Sequence, residues 1–433
     1  MKTKKQKIHI VTLGCAKNTV DSEVLEGQLR GNHFEMASHA GEADIAIINT
    51  CGFIGDAKKQ SIDTILSAVE LKKRRQLDKV YVMGCLSERY HAELAKEIPE
   101  VDQFFGSNEL PNILNALGAE FQHALLGERT LSTPSYSAYL KISEGCDNPC
   151  SFCAIPLMRG GHRSKPVDQI MSEVMRLTSK GVKELIVIGQ DTTYYGLDIY
   201  NERALASLLE SLASVKDLEW IRLMYAYPAK FPLDLLPVMA GHANICKYLD
   251  MPIQHAADAV LKSMRRGITR RALEELIGTI RHSVPGIALR TTLITGYPNE
   301  TERDVEELAT FMKDVKFERL GIFTYSQEDD TAAFALGDPI PDDEKERRKE
   351  YLMDVQREIS LARNKEKIGR TVRVLVEGHE NGIATGRTEW DAPEVDNEIV
   401  LTCGPNRHLL PGEFVQCTIT DAVEYDLYGD VIS

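Results

Sequence analysis

AYLKISEGCDNPCSFC, Ala138 to Cys153, runs from an apolar segment straight into three cysteines. Cys146, Cys150 and Cys153 are spaced C-x3-C-x2-C in a chain with only nine cysteines in 433 residues. If the apolar segment is a strand of a βα array, the cysteines lie on the loop at its carboxyl end, the face on which barrel active sites are built. A structural zinc site wants four protein ligands, commonly in two C-x2-C knuckles. A ferredoxin-type [4Fe-4S] cluster also takes four. No fourth Cys or suitably placed His completes either set nearby, since His162 stands nine residues past Cys153 and follows two glycines. Three thiolates on a four-iron cluster leave one iron open to an outside ligand; a distorted zinc knuckle is the competing reading.

Working outward, AYLKIS is the first of six apolar segments followed in turn by ELIVIG, WIRLMY, KYLDMPI, IALRTTLIT and RLGIFTYS, with helical patterns between most of them. Six βα repeats predict a full or partial barrel rather than a flat sheet. The following PDDEKERRKEYLMDVQREISLARNKEK reads as one long amphipathic helix whose charges form a solvated face. Beyond Gly369 short strands (TVRVLVEG, GIATGR, EFVQCTIT) broken by Gly, Pro and Asn predict a small antiparallel barrel. Upstream, KIHIVTLGC, ADIAIINTC and KVYVMGC each precede a helical pattern, which predicts a parallel α/β sheet. The last of these helices is read over SERYHAELAKEI, and a Ser/Thr/Pro-rich linker over Gly127–Ala138. The expected domains are residues 1–125, 135–366 and 367–433.

Each of those three N-terminal segments ends in a cysteine: Cys15, Cys51 and Cys85. Neighbouring strands of a parallel sheet bring their carboxyl ends to one crevice, so the three thiols are expected together there. A lone buried Cys is usually a small hydrophobe, but three at the same phase of successive βα units suggest a second three-thiolate cluster. Cys246, Cys403 and Cys417 show no such phase, and Cys246 and Cys417 are read as packing residues.

Composition is that of a globular chain, 43% hydrophobic and 27% charged, with no apolar run of membrane-spanning length. The start, MKTKKQKIHIVTLGC, has a basic region but too short an apolar core for a signal, and is read as a buried strand. The expected compartment is the cytoplasm, where clustered cysteines more often bind metal or do chemistry than form disulfides. Net charge is −14, and residues 368–433 hold 12 acidic against 4 basic residues, net −8. Such a tail disfavours phosphate-rich partners and favours a basic protein.

The C-x3-C-x2-C loop on the first strand of a six-fold βα array resembles the radical S-adenosylmethionine superfamily. The resemblance implies that S-adenosylmethionine chelates the open iron and is cleaved to a 5′-deoxyadenosyl radical. It also implies cofactor contacts at Phe152 (adenine), at Gln190 and Asp191 of IGQD, where a plain turn is the competing reading, and at Arg290 and Thr292 of LRTTLITGYPNETE. Asn299 departs from the Gly usual in that family. With GCAKNTVDSE, NTCGFI, GCDNPCSFCAIPLMRGGHRSKP and the C-terminal β-rich tail, the whole chain resembles the methylthiotransferases. That family pairs a cluster domain with a partial (β/α)6 barrel and an OB-like TRAM barrel. The resemblance implies two [4Fe-4S] clusters, S-adenosylmethionine as radical and methyl source, and an electron donor of flavodoxin or ferredoxin type. VDSE, YAYP, TEWDAPEVDN and AVEYDLYGDVI, with the acidic tail, favour the branch that methylthiolates the β-carbon of an aspartate in small-subunit ribosomal protein twelve. Its partner would be that protein, alone or in the small subunit. The alternatives are the branch acting on tRNA adenosine and, from a different class, a non-enzymatic metal-stabilised binding module.

Overall fold

Successive segments of the chain build one sheet after another. The computed structural model describes residues 6–432 except 123, 124, 126, 381, 382, 405 and 406. The first sheet contains β1 (Lys7–Thr12), β2 (Glu35–Met36), β3 (Ile45–Thr50), β4 (Lys79–Gly84) and β5 (Gln103–Phe104). Its strands are all parallel, in the order β2-β1-β3-β4-β5. β3 is buried at every residue, as a central strand covered on both faces must be. The chain order reverses between β1 and β3, which opens a crevice at their carboxyl ends. β1 is the strand expected at the basic start, but it is buried only at Ile8, the rest being half-buried or exposed; Met1–Lys5 lie outside the described residues. SERYHAELAKEI is not one helix: the chain forms Cys85–Arg89 and His91–Glu97, broken at Tyr90. Tyr90 leaves helical geometry (φ −124°, ψ 32°), and its hydroxyl donates to Asp329 of the next unit at 3.0 Å.

The stretch read as a linker is clamped. Arg129 is buried, donates to the Tyr139 carbonyl at 2.7 Å and faces Glu23 and Glu173 at 3.5 and 3.3 Å.

The second unit starts with β6 (Ser137–Lys141), followed by a short antiparallel pair, β7 (Ser143–Glu144) and β8 (Arg163–Ser164), at the base of the cysteine loop. Then come β9 (Glu184–Ile188), β10 (Trp220–Leu223), β11 (Ile245–Asp250), β12 (Ala288–Thr295) and β13 (Arg319–Thr324). With β6 they form an open, all-parallel six-stranded sheet in chain order, a partial barrel. Side chains alternate across a strand, so Leu185, Val187, Ile221, Leu223, Leu249 and Leu289 meet the helices outside. Ile186, Ile188, Trp220, Cys246, Tyr248 and Ala288 face the concave side and pack with the third unit. Asn299 lies in an exposed turn without positive φ, so nothing there demands Gly.

The charged helix spans Asp342–Lys365, but its charges are not only a solvated face. Lys345 and Arg348 are buried, donating to Asp338 at 2.6 Å and to Glu300 at 2.8 Å, because this face closes over the turn after β12.

The third unit is a closed barrel of β14 (Thr371–Glu380), β15 (Ile383–Thr388), β16 (Ile399–Thr402), β17 (Phe414–Ala422) and β18 (Leu427–Val431). Gly382, read as the start of a strand, lies outside the described residues. All pairs are antiparallel except β16–β18, a parallel pair that closes the ring. Cys246 and Cys417 are buried in the core shared by barrel and sheet.

The loop joining β15 to β16, within TEWDAPEVDN, plugs the concave face of the six-stranded sheet. Arg222 donates to the Glu389 carbonyl at 2.7 Å, Tyr248 to Asp396 at 2.6 Å, and Arg319 to Asp391 at 2.7 Å. Beneath it, Arg387 grips Glu184 through two bonds of 3.1 and 2.7 Å, with Arg222 on the same carboxylate. Burial raises the Glu184 pKa, but the Arg387 and Arg222 guanidiniums overcome it and hold the group at about 2.

Candidate metal centres

β1, β3 and β4 are adjacent, and each delivers a cysteine at its carboxyl end. Cys15 is the N-cap of helix Ala16–Gly31, Cys51 follows β3 directly, and Cys85 opens helix Cys85–Arg89. Ser61 clamps Cys51 from both sides, accepting from its N–H at 3.0 Å and donating to its carbonyl at 2.9 Å. Asn18, fully buried, ties two of the loops together by donating to the Leu13 and Thr50 carbonyls at 2.7 and 3.0 Å. Gly14 lets Cys51 approach: a Cβ there would lie 2.7 Å from Cys51 Cβ and 2.9 Å from its sulfur.

The second triad sits on the loop after β7. Gly145, at φ +75°, leaves no room for a side chain, since a Cβ would stand 2.1 Å from the Gly161 carbonyl oxygen. Asn148 donates to Cys146 Sγ at 3.5 Å and to Asp191 at 2.8 Å. Arg266 donates to Cys150 Sγ at 3.1 Å, and the Tyr227 hydroxyl lies 3.7 Å from the same sulfur. The Ile155 N–H points at Cys153 Sγ from 3.5 Å.

Arg159 joins the two sets. It ends the short helix Ile155–Arg159 that follows the second triad, and it is 2% exposed. Its Nε donates to Cys85 Sγ of the first triad at 3.2 Å, while its other nitrogens reach Asp21 at 2.6 Å, Glu144 at 3.2 Å and Asn18. Lys141 pairs with the same two carboxylates. Burial raises the Glu144 pKa, but Lys141 and Arg159 overcome it and bring the group down to about 2.

Burial pushes the thiols up, Cys85 and Cys153 to about 12 and Cys146 to about 11, and Cys51 in the same direction. Without metal these sulfurs stay protonated; a bound iron deprotonates a thiol outright. Both sets fit a thiolate-held cluster: all-sulfur donors, seats that are partly or fully enclosed except at the exposed Cys15, and N–H groups aimed at Cys85, Cys146, Cys150 and Cys153. Such N–H groups offset thiolate charge and tune a cluster. Among the described residues no group of three or more His, Cys, Asp or Glu is drawn together for one metal ion. A cluster, whose thiolates stand on separate irons, does not require that.

Of the other residues read as contacts, Phe152 packs beside Tyr297 and Tyr325 in a small core next to the triad loop. Gln190 donates to Glu144 at 2.6 Å. Asp191 caps the turn after β9, accepting from Thr193 N at 2.9 Å, and also receives Asn148. Arg290 is held by Asp250 at 2.8 Å and by Asp396 of the plug at 3.2 Å, and it donates to Thr292 at 3.3 Å. Asn18, Glu144, Arg159, Tyr227 and Arg266 were not singled out from sequence. Asn18, Glu144 and Arg159 lie within or beside the cysteine motifs and Tyr227 within YAYP, whereas nothing in the sequence marks Arg266.

Family models match three successive parts of the chain: Uncharacterized protein family UPF0004 over residues 7–106, the radical SAM superfamily over 140–312 and the TRAM domain over 368–432. The ribosomal protein uS12 methylthiotransferase RimO of Cytophaga hutchinsonii is 53% identical over 431 residues, 99% of this chain and 98% of that one. Its counterpart from Chloroherpeton thalassium is 52% identical over 434 residues and the whole of both chains. That of Porphyromonas gingivalis is 49% identical over 434 residues, 99% of this chain and 100% of that one. A solved radical S-adenosylmethionine methyltransferase, TsrM of Kitasatospora setae, with cobalamin and a [4Fe-4S] cluster bound, superposes with a TM-score of 0.56. At 13% identity over 88% of this chain and 81% of that one, this is a likeness of fold alone.

Proposed function

The chain belongs to the family of ribosomal protein uS12 methylthiotransferases, and from that premise we propose that it methylthiolates the β-carbon of an aspartate in uS12 by radical S-adenosylmethionine chemistry. The observation that supports this most is the meeting of two three-thiol sets, Arg159 running from the loop of one to Cys85 of the other. Cys146, Cys150 and Cys153 would hold one [4Fe-4S] cluster, and Cys15, Cys51 and Cys85 the second. When bound, the clusters and S-adenosylmethionine supply one-electron cleavage, sulfur delivery and a methyl group.

The chain's own part is to position and to exclude water. Arg266 and Arg159 each place a guanidinium N–H on one sulfur of a triad and offset its thiolate charge. Asn148 orients Cys146 against Asp191. Phe152, Gln190 and Asp191 are the proposed cofactor contacts at the carboxyl rim of the sheet. Arg290 and Thr292 are further proposed cofactor contacts, and Arg290 also holds the plug loop through Asp396. The working domain limits are 1–125, 135–366 and 367–433.

Exposed Glu394, Glu398, Asp421 and Asp430 beside Val395 and Tyr428 suit a Lys/Arg-rich ribosomal protein, met alone or in the small subunit, better than RNA phosphate. An electron donor of flavodoxin or ferredoxin type and a cytoplasmic setting complete the reading. Among the described residues no helix is long and apolar enough to cross a membrane. Mass spectrometry of uS12 and of tRNA from a strain lacking the gene tests the assignment. The methylthio mass on the aspartate should vanish and tRNA adenosines should be unchanged; the opposite pattern refutes it.

A further inference from the structure

We propose that Lys17 is the seat for the side-chain carboxylate of the substrate aspartate, fixing its β-carbon between the two triads. Lys17 lies two residues after Cys15, in the first turn of helix Ala16–Gly31, and is only 7% exposed. A lysine this enclosed ordinarily brings its ammonium to a carboxylate partner. Among the described residues Lys17 makes no hydrogen bond or ion pair. The carboxylate one turn on, Asp21, is already taken by Lys141 and Arg159.

Instead the ammonium stands 3.0 Å from the ring centroid of Tyr225, just past β10 in the six-stranded sheet. A ring face fixes a cation in place but leaves its N–H donors free for an acceptor.

The platform is itself unusual. Tyr225 has φ +60°, a left-handed conformation that bulky residues rarely adopt. Its N–H donates to Asp250 at 3.1 Å, and its carbonyl accepts from Thr192 N at 3.1 Å and Thr192 Oγ1 at 3.2 Å. Strain held this firmly gathers at ligand clamps. The pair also spans the two centres, since Lys17 stands two residues from Cys15 and Tyr225 two residues from Tyr227, which touches Cys150. An aspartate offers a carboxylate one bond from its β-carbon. A compact ammonium is a point charge that can hold that carboxylate and gives no such gain to a neutral amide.

The proposal rests on the uS12 reading, and the test separates the two. Binding of a uS12 peptide carrying the target Asp, and of the same peptide with Asn, is measured on the enzyme loaded with clusters and S-adenosylmethionine, as wild type, Lys17→Met and Lys17→Arg. Wild type should prefer the Asp peptide by about 10- to 100-fold. Lys17→Met should lose that preference by weakening on Asp alone, and Lys17→Arg should keep most of it. A Lys17→Met protein that keeps the preference, or weakens on both peptides alike, overturns the proposal while the function stands. If Lys17→Met fails to load its clusters, Lys17→Gln replaces it under the same criteria. Wild type that neither prefers nor methylthiolates the Asp peptide overturns the uS12 reading and Lys17 with it.

Discussion

The two triads hold the same number of thiols in very different ways. Cys146, Cys150 and Cys153 lie on one loop, so their mutual distances are set largely by covalent geometry and by local turns. Cys15, Cys51 and Cys85 come from three βα units and meet only because β1, β3 and β4 are in register side by side. Both have a glycine before the first cysteine and one arginine on a sulfur, Arg266 on Cys150 and Arg159 on Cys85. One centre is therefore encoded in a peptide and the other in a fold. The second should report every loss of order in its sheet.

Replacing Cys15, Cys51 and Cys85 together by Ala should break the comparison outright. About half the iron and sulfide should go, and methylthiolation with it, while cleavage of S-adenosylmethionine to 5′-deoxyadenosine persists. The matching triple change at Cys146, Cys150 and Cys153 should abolish that cleavage. Retained cleavage there would sink the assignment of roles.

Arg159→Met leaves Asp21 and Glu144 short of a buried cation and should lower stability by about 3–5 kcal/mol, measured by chemical denaturation. It should also alter the paramagnetic signal of the spread triad's cluster more than that of the loop triad, and Arg266→Met should do the reverse. Equal effects from both variants would remove the distinction between the two guanidiniums.

A group remote from both triads provides the control. Glu184 is held at about 2 by Arg387 and Arg222, below the ordinary carboxylate value of about 4.3. Its contribution, about 3 kcal/mol, is complete above that ordinary value and disappears as pH falls toward 2. Trp220 and Trp390, the two tryptophans of the chain, both lie at this seam. Their fluorescence should follow the acid transition, and Glu184→Gln should flatten it without favouring release of iron from either triad.

The finest test is Ile48→Val in the fully buried β3, a change of about 1 kcal/mol. It should speed loss of iron from the spread triad under chelator and leave the loop triad unchanged.

Much of this was legible in the sequence because it is periodic. All six strands of the partial barrel and the three long strands of the first sheet were found by apolar runs followed by helices. β2 and β5, two residues each, carry no such signal. β16 lies between stretches rich in Asn, Gly and Pro, and β18 carries Gly429 and Asp430 within it, so neither gives a clear strand pattern. The helix break at Tyr90 depends on a contact with Asp329, which no local pattern records.

The cysteines were visible as a pattern; their arginines were not. Arg159 is buried because Cys85, Asp21 and Glu144 close around it, and Arg266 because Cys150, the Pro252 carbonyl and the Tyr227 ring do, partners mostly remote in sequence. The charge count of the tail misled in the same way. Asp391 and Asp396 were counted as acidic surface, yet both are buried against arginines of the six-stranded sheet.

The plug between β15 and β16 also governs traffic. It lies across the concave face, bonded to β10, β11, β12 and β13, so the barrel is a cup and not a tunnel. A polypeptide cannot be drawn through it. The target aspartate must be offered at the rim on a protruding bend, and the modified bend must back out the way it came.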